Sequence, residues 1–139
     1  MKFDHNNISP LDSRYANKIP EFRKNFSEYS LIKIRFDIEI DWLIFLCTKL
    51  PKSFKPISKQ SIKKLELFKN DFNDKYVLKI KKIEATTNHD VKAVEYFIRD
   101  HFNKDKILSG YTHLIHFGLT SEDINCLLYT SDAADDVRC

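Results

Sequence analysis

The sequence predicts an all-α fold, and three observations carry that prediction. Glycine occurs only at Gly110 and Gly118, so the Gly-dependent tight turns of a many-stranded sheet are missing from most of the chain. The prolines, at 10, 20, 51 and 56, all fall in the first part and leave the stretch between Pro20 and Pro51 unbroken. Apolar side chains then recur three and four residues apart in several separate segments, the spacing of one helical face.

The first long element is the least obvious. Ile32, Ile34, Phe36, Ile38, Ile40 and Trp42 alternate with Lys33, Arg35, Asp37, Glu39 and Asp41, which in isolation reads as a strand. At helical spacing the same residues form a stripe of Leu31, Ile34, Ile38, Trp42 and Phe45 beside a second stripe of Ile32, Phe36, Ile40 and Leu43. Lys33 with Asp37 and Arg35 with Glu39 then become i,i+4 ion pairs, worth about 0.2–0.5 kcal/mol each. A strand this long with no turn or partner exceeds the usual length of roughly 5–6 residues, so the segment is assigned as helix.

After the Pro51–Pro56 linker, Ser58 is placed to cap a helix with Ile62, Leu65, Phe68 and Phe72 on its face, and Tyr76, Ile80 and Ile83 mark another amphipathic piece. Asp90 is expected to cap the next helix, which buries Val91, Val94, Phe97, Ile98 and Phe102. A turn is expected over Leu108 to Tyr111 around Gly110. Thr120 followed by Asp123 has the form of a capping box opening one more helix.

Length and composition set bounds on function. The 139 residues suffice for one domain, and 23 Lys+Arg against 20 Asp+Glu give a net charge of +3. No apolar run approaches the roughly 18–20 residues of a membrane span, and the N-terminus shows no secretory pattern, so no membrane association and a cytoplasmic location are expected. The glycine count excludes phosphate loops and dinucleotide fingerprints. Cys47, Cys126 and Cys139 are odd in number and widely spaced, which argues against a disulfide framework or zinc ribbon.

Polar residues able to do chemistry fall in four clusters. In residues 9–15, Arg14 beside Tyr15 offers a fork for phosphate or carboxylate with an aromatic hydroxyl alongside; the plainer reading is an arm pinned to the surface. Asn88-His89-Asp90 sets an imidazole at a helix start, suited to positioning an oxyanion or simply to capping. Thr120 and Ser121 offer hydroxyls and backbone N–H groups to an anion, or a cap alone. His113-x-x-His116 has metal-ligand spacing, but no third ligand accompanies it and no metal is assigned. Residues 49–82 carry eleven lysines, spread round every face; a solvated surface is the favoured reading and a nucleic-acid or partner-binding module the alternative.

In this order the clusters resemble the N-terminal part of the adenylosuccinate lyase family, within the fumarase/aspartase superfamily, in its proteobacterial form. Ser9 to Tyr15 resembles SPxDGRY, Phe26 to Tyr29 FSEY, Thr86 to Phe97 TTNHDVKAVEYF, and His116 to Asn125 HFxxTSEDINN. The resemblance covers residues 9–125. It implies an all-α N-terminal domain ahead of a central helical bundle, a homotetramer whose sites combine three subunits, and β-elimination of fumarate from adenylosuccinate and SAICAR without metal or organic cofactor. It also implies that Arg14 and Tyr15 bind the nucleotide phosphate, that Asn88, His89 and Asp90 line the substrate pocket, and that Thr120 and Ser121 grip a succinyl carboxylate. Ser13 stands where the motif has Gly. The family's general acid and base lie downstream of anything present, so this chain is expected to be an inactive fragment. Residues 126–139 depart from the pattern: with Leu127, Leu128, Tyr129 and Val137 as their large apolar side chains they are expected to be an unrelated tail of the kind sequencing or gene-model artefacts add.

Overall fold

The computed structural model describes residues 9–50 and 52–131; the N-terminal segment 1–8, Pro51 and residues 132–139 of the tail, Cys139 among them, lie outside the described residues. Among those described, every regular element is helical. A short 3₁₀ turn at Pro10–Asp12 precedes α1 (Pro20–Phe26) and the long α2 (Glu28–Lys49). Then come α3 (Lys59–Asn70), α4 (Asp74–Thr87), α5 (Asp90–Lys104), a 3₁₀ segment at Ser109–Leu114 and α6 (Ser121–Ser131). The turn expected around Gly110 is thus a longer 3₁₀ helix.

Local chemistry explains the boundaries. Ser27 ends α1 and caps α2, its hydroxyl accepting the Ser30 N–H at 3.3 Å, and Ser58 caps α3 as expected. Asn73 starts α4 by accepting the Lys75 N–H at 3.0 Å. At the other end Asn88 adopts φ 50° and ψ 36°, a left-handed conformation that Asn tolerates better than most residues, and the chain passes directly into α5.

Packing settles the strand-or-helix question for residues 31–46. Ile32, Phe36, Ile40, Leu43, Leu46 and Cys47 of α2 are buried, and the Phe36 ring lies 4.9 Å from Phe68 and 5.0 Å from Phe72, both brought by the α3 region. Ala93, Val94, Phe97, Ile98 and Phe102 of α5 join this core, as do Ile80 of α4 and Leu108, Tyr111, Leu114 and Ile115. The other α2 stripe is only partly covered, ending in Phe45, 45% exposed. Every one of α1, α3, α4, α5 and α6 packs against α2, which is the axis of the molecule.

The final helix runs beyond the last motif residue. Ile124 and, one turn later, Leu128 are buried, so residues 126–131 take a helical part that their composition alone does not predict.

Candidate functional site

His89 and Ser121 meet at the starts of two helices. His89 is extended (φ −150°) and is the N-cap of α5: its Nδ1 accepts the Lys92 N–H at 3.2 Å. An accepting Nδ1 carries no proton, so the neutral ring bears its hydrogen on Nε2, and that nitrogen stands 3.4 Å from Ser121 Oγ at the first turn of α6. The cap expected at Asp90 is therefore corrected by one residue. Asp90 is already helical, its Oδ1 accepts its own neighbour's N–H at Val91 (2.8 Å), and its Oδ2 is drawn to Arg35 Nη2 at 2.7 Å. An acidic group in the first turn of α5 also suits the helix dipole.

Thr120 and Asp123 form the reciprocal box that their spacing predicts. The Thr120 N–H and hydroxyl both donate to Asp123 Oδ2 at 2.7 Å, and the Asp123 N–H donates back to Thr120 Oγ1 at 3.3 Å. Chiefly the backbone bond from Thr120, and then its hydroxyl, hold the Asp123 carboxyl below its ordinary range. The Thr120 hydroxyl is consequently occupied within the chain, whereas that of Ser121 faces His89.

The turn leading into α6 is fastened to α2. His116 has φ 61° and Gly118 φ 71°, both left-handed, so this turn needs support at the non-glycine position. Glu39, 1% exposed, supplies it by accepting the His116 N–H at 2.9 Å and its Nδ1–H at 2.5 Å. That carboxylate bond, ahead of the opposing effect of burial, raises the imidazole above its usual pKa. Three residues along α2, Trp42 Nε1 donates to the Phe117 carbonyl at 2.9 Å. The i,i+4 pair expected between Arg35 and Glu39 is accordingly replaced by two tertiary attachments, while Lys33 and Asp37 do pair.

Arg14 and Tyr15 sit apart from this pair. They follow the first 3₁₀ turn, with the Arg14 guanidinium 5.3 Å from the Tyr15 ring and the Tyr15 N–H bonded to the Pro10 carbonyl at 2.9 Å. Among the described residues their hydrogen bonds and ring contacts do not reach His89 or Ser121. Ser13 has φ −127°, outside the left-handed region, so serine in place of the motif's glycine meets no left-handed requirement.

The remaining candidates separate in the same way. His113 is exposed while His116 is held by Glu39, and the described residues contain no cluster of three or more metal-ligating side chains. Within the lysine-rich segment, Lys64 pairs with Asp105, Lys69 with Asp41, and Lys81 with Glu28 and Glu84, which neutralises part of that surface. Sequence reasoning missed Arg35, Glu39 and Trp42 as a supporting row. The available signal was their spacing of four and three residues along the most apolar helix in the chain, where two of them interrupt the core.

No protein-family model matches the chain. Its sequence is 42% identical to adenylosuccinate lyase of Haemophilus influenzae over 138 residues, covering 94% of this chain and 29% of that protein. It is 40% identical over 134 residues to the adenylosuccinate lyase of Escherichia coli K12, with the same coverage, and 45% identical over 123 residues to that of Dictyostelium discoideum, covering 85% and 26%. The chain thus spans about 29% of the length of the bacterial relatives it matches.

Proposed function

We propose, from its 40–45% identity to adenylosuccinate lyases over most of its length, that the chain is the N-terminal part of such a lyase, an enzyme eliminating fumarate from adenylosuccinate, to give AMP, and from SAICAR, to give AICAR. One observation carries the reading on the structural side: an imidazole Nε2–H and a serine hydroxyl converge to 3.4 Å at the first turns of α5 and α6. In the elimination a proton leaves the carbon beside a succinyl carboxylate and the neighbouring C–N bond breaks, so negative charge grows on that carboxylate. Donors fixed at helix N-termini are suited to that charge. In this reading Ser121 and the N-terminal end of α6 at Thr120 grip the carboxylate, and His89 with Asn88 and Asp90 lines the pocket. Arg14 and Tyr15 take the nucleotide phosphate. The general acid and base lie outside this chain, so it supplies binding groups and is inactive alone. A homotetramer in the cytoplasm, with each site shared between subunits, belongs to the same proposal. So does a boundary at residue 125, with 126–139 foreign to the family region.

Grafting residues 1–125 onto the remainder of a related full-length lyase tests it. The graft should release fumarate from adenylosuccinate, and His89→Ala should lower that rate by about 10²–10³-fold, the usual loss for one positioned donor. An active graft indifferent to His89→Ala would reduce His89 to a helix cap and overturn the assignment.

A further inference from the structure

We infer that Arg35 is a positioning residue for the His89–Ser121 pair, setting the gap between the two side chains from α2. The inference deepens the proposed substrate site and rests on that reading of His89 and Ser121.

Arg35 lies in the middle of α2 between buried Ile32 and Phe36, and its side chain is only 13% exposed. A guanidinium there is costly unless its charge is matched. The match comes from two different helices through one nitrogen: Nη2 reaches Asp90 Oδ2 at 2.7 Å and Asn125 Oδ1 at 3.3 Å. Asp90 is the residue after His89. Asn125 is one helical turn after Ser121, on the same face of α6. That one nitrogen therefore grips α5 beside the imidazole and α6 beneath the hydroxyl.

Helices α5 and α6 touch each other sparsely; α6 packs mainly on α2, and α5, whose main neighbour is α4, also rests on α2. Helix α2 is thus a support that both share, and Arg35 is a polar link from it to each of them. Its Nε–H is buried and has no hydrogen-bond partner among the described residues, so Nη2 alone makes the connection. A lysine at the same place keeps the charge and carries three donors on one atom, which makes it the conservative replacement; glutamine keeps bulk without charge.

Nitrogen-resolved NMR of the histidine rings in the 139-residue chain reads the geometry without any catalysis. In the parent, His89 should show a single tautomer protonated on Nε2 and a through-space cross-peak to the Ser121 β protons. Arg35→Gln, with helical circular dichroism retained, should lose the cross-peak and show mixed tautomers, and Arg35→Lys should restore both in part. A folded Arg35→Gln chain with the parent's His89 tautomer and cross-peak overturns the inference, since lost stability alone would not move them. Should Arg35→Gln fail to fold, the parent decides: a guanidinium held by two acceptors gives separate, slowly exchanging Nη signals, and one averaged signal overturns the inference. In the grafted lyase, Arg35→Gln should cut kcat about a hundredfold, more than it raises KM, as misplacement by about 1 Å does. A disturbed His89 ring with unaltered activity would leave the positioning intact and refute the substrate reading instead.

Discussion

Glu39→Gln isolates the attachment that holds the turn before α6, and its effect should depend on pH. The carboxylate accepts two bonds from His116, one backbone and one imidazole, while itself 1% exposed. The amide oxygen of glutamine can keep the backbone bond; the charge-assisted ring bond is lost. A hydrogen bond to a charged group contributes about 1.5–3 kcal/mol and a neutral one about 1 kcal/mol. The Glu39 bond and charge, with a further charge at Glu95, raise the His116 pKa against the effects of burial and Lys92. For a histidine raised above its unfolded value of about 6.5, the contribution is fully present below about pH 6.5 and lost as pH climbs through the folded value. The substitution should therefore cost about 2–3 kcal/mol near pH 6 and about 1 kcal/mol near pH 9. At roughly 3–4 °C per kcal/mol for this size, Tm should fall by about 6–12 °C and about 3–4 °C respectively, followed by far-ultraviolet circular dichroism. The comparison must be variant against parent at each pH. His101, stacked at 3.7 Å on Phe68, is lowered mainly by burial, so its contribution has the opposite sign and is lost as pH falls. An equal loss at both pH values would refute the charged pair.

Two further outcomes follow from the packing. Tyr76 donates to Asp71 Oδ2 at 2.8 Å and is pushed up to about 12, by burial first and then by Asp71, so alkaline difference spectroscopy should show one of the six tyrosines ionising late. Tyr76→Phe should remove that late step, together with a small stabilisation present below about pH 10 and lost as pH rises through about 12. Leu128, 4% exposed, should cost about 2–5 kcal/mol in urea titration when changed to alanine, and a chain stopped at residue 125 should lose at least as much. Unchanged stability of that shortened chain would show that the contacts of α6 end at Ile124.

What the sequence disclosed was whatever a local window contains. Ser58 and the Thr120–Asp123 box declare themselves within a few residues, and the buried side of α5 follows from a spacing repeated along one helix. The alternation in residues 32–42 misleads because α2 is covered over a wide arc, so charges must sit beside core residues at nearly every second position. The cap at His89 was missed by one residue, for Asp is the commoner cap and the partner that diverts Asp90 is Arg35, remote in sequence. Glu39 was hidden in the same way: an i,i+4 neighbour of the right charge was at hand, yet its actual partner is 77 residues away. A buried carboxylate seeks the donors that satisfy it most fully, and a backbone N–H with an imidazole beside it surpasses a guanidinium already engaged.

The seven candidate residues consequently do not stand on an equal footing. Asp90 has both oxygens engaged, and the Thr120 hydroxyl is spent on Asp123, so neither side chain is poised as a primary ligand. His89 keeps Nε2 and Ser121 its hydroxyl, and both face the space between α5 and α6. The presence of Asp90 beside them would work against any anionic ligand through charge repulsion, at an energy that grows as water is excluded. Arg35 offsets that charge at 2.7 Å while it fixes the distance between the helices. One guanidinium thus gives the site both its spacing and a local charge balance compatible with an anion, whereas Arg14 and Tyr15 stand exposed on the N-terminal arm, apart from that pair.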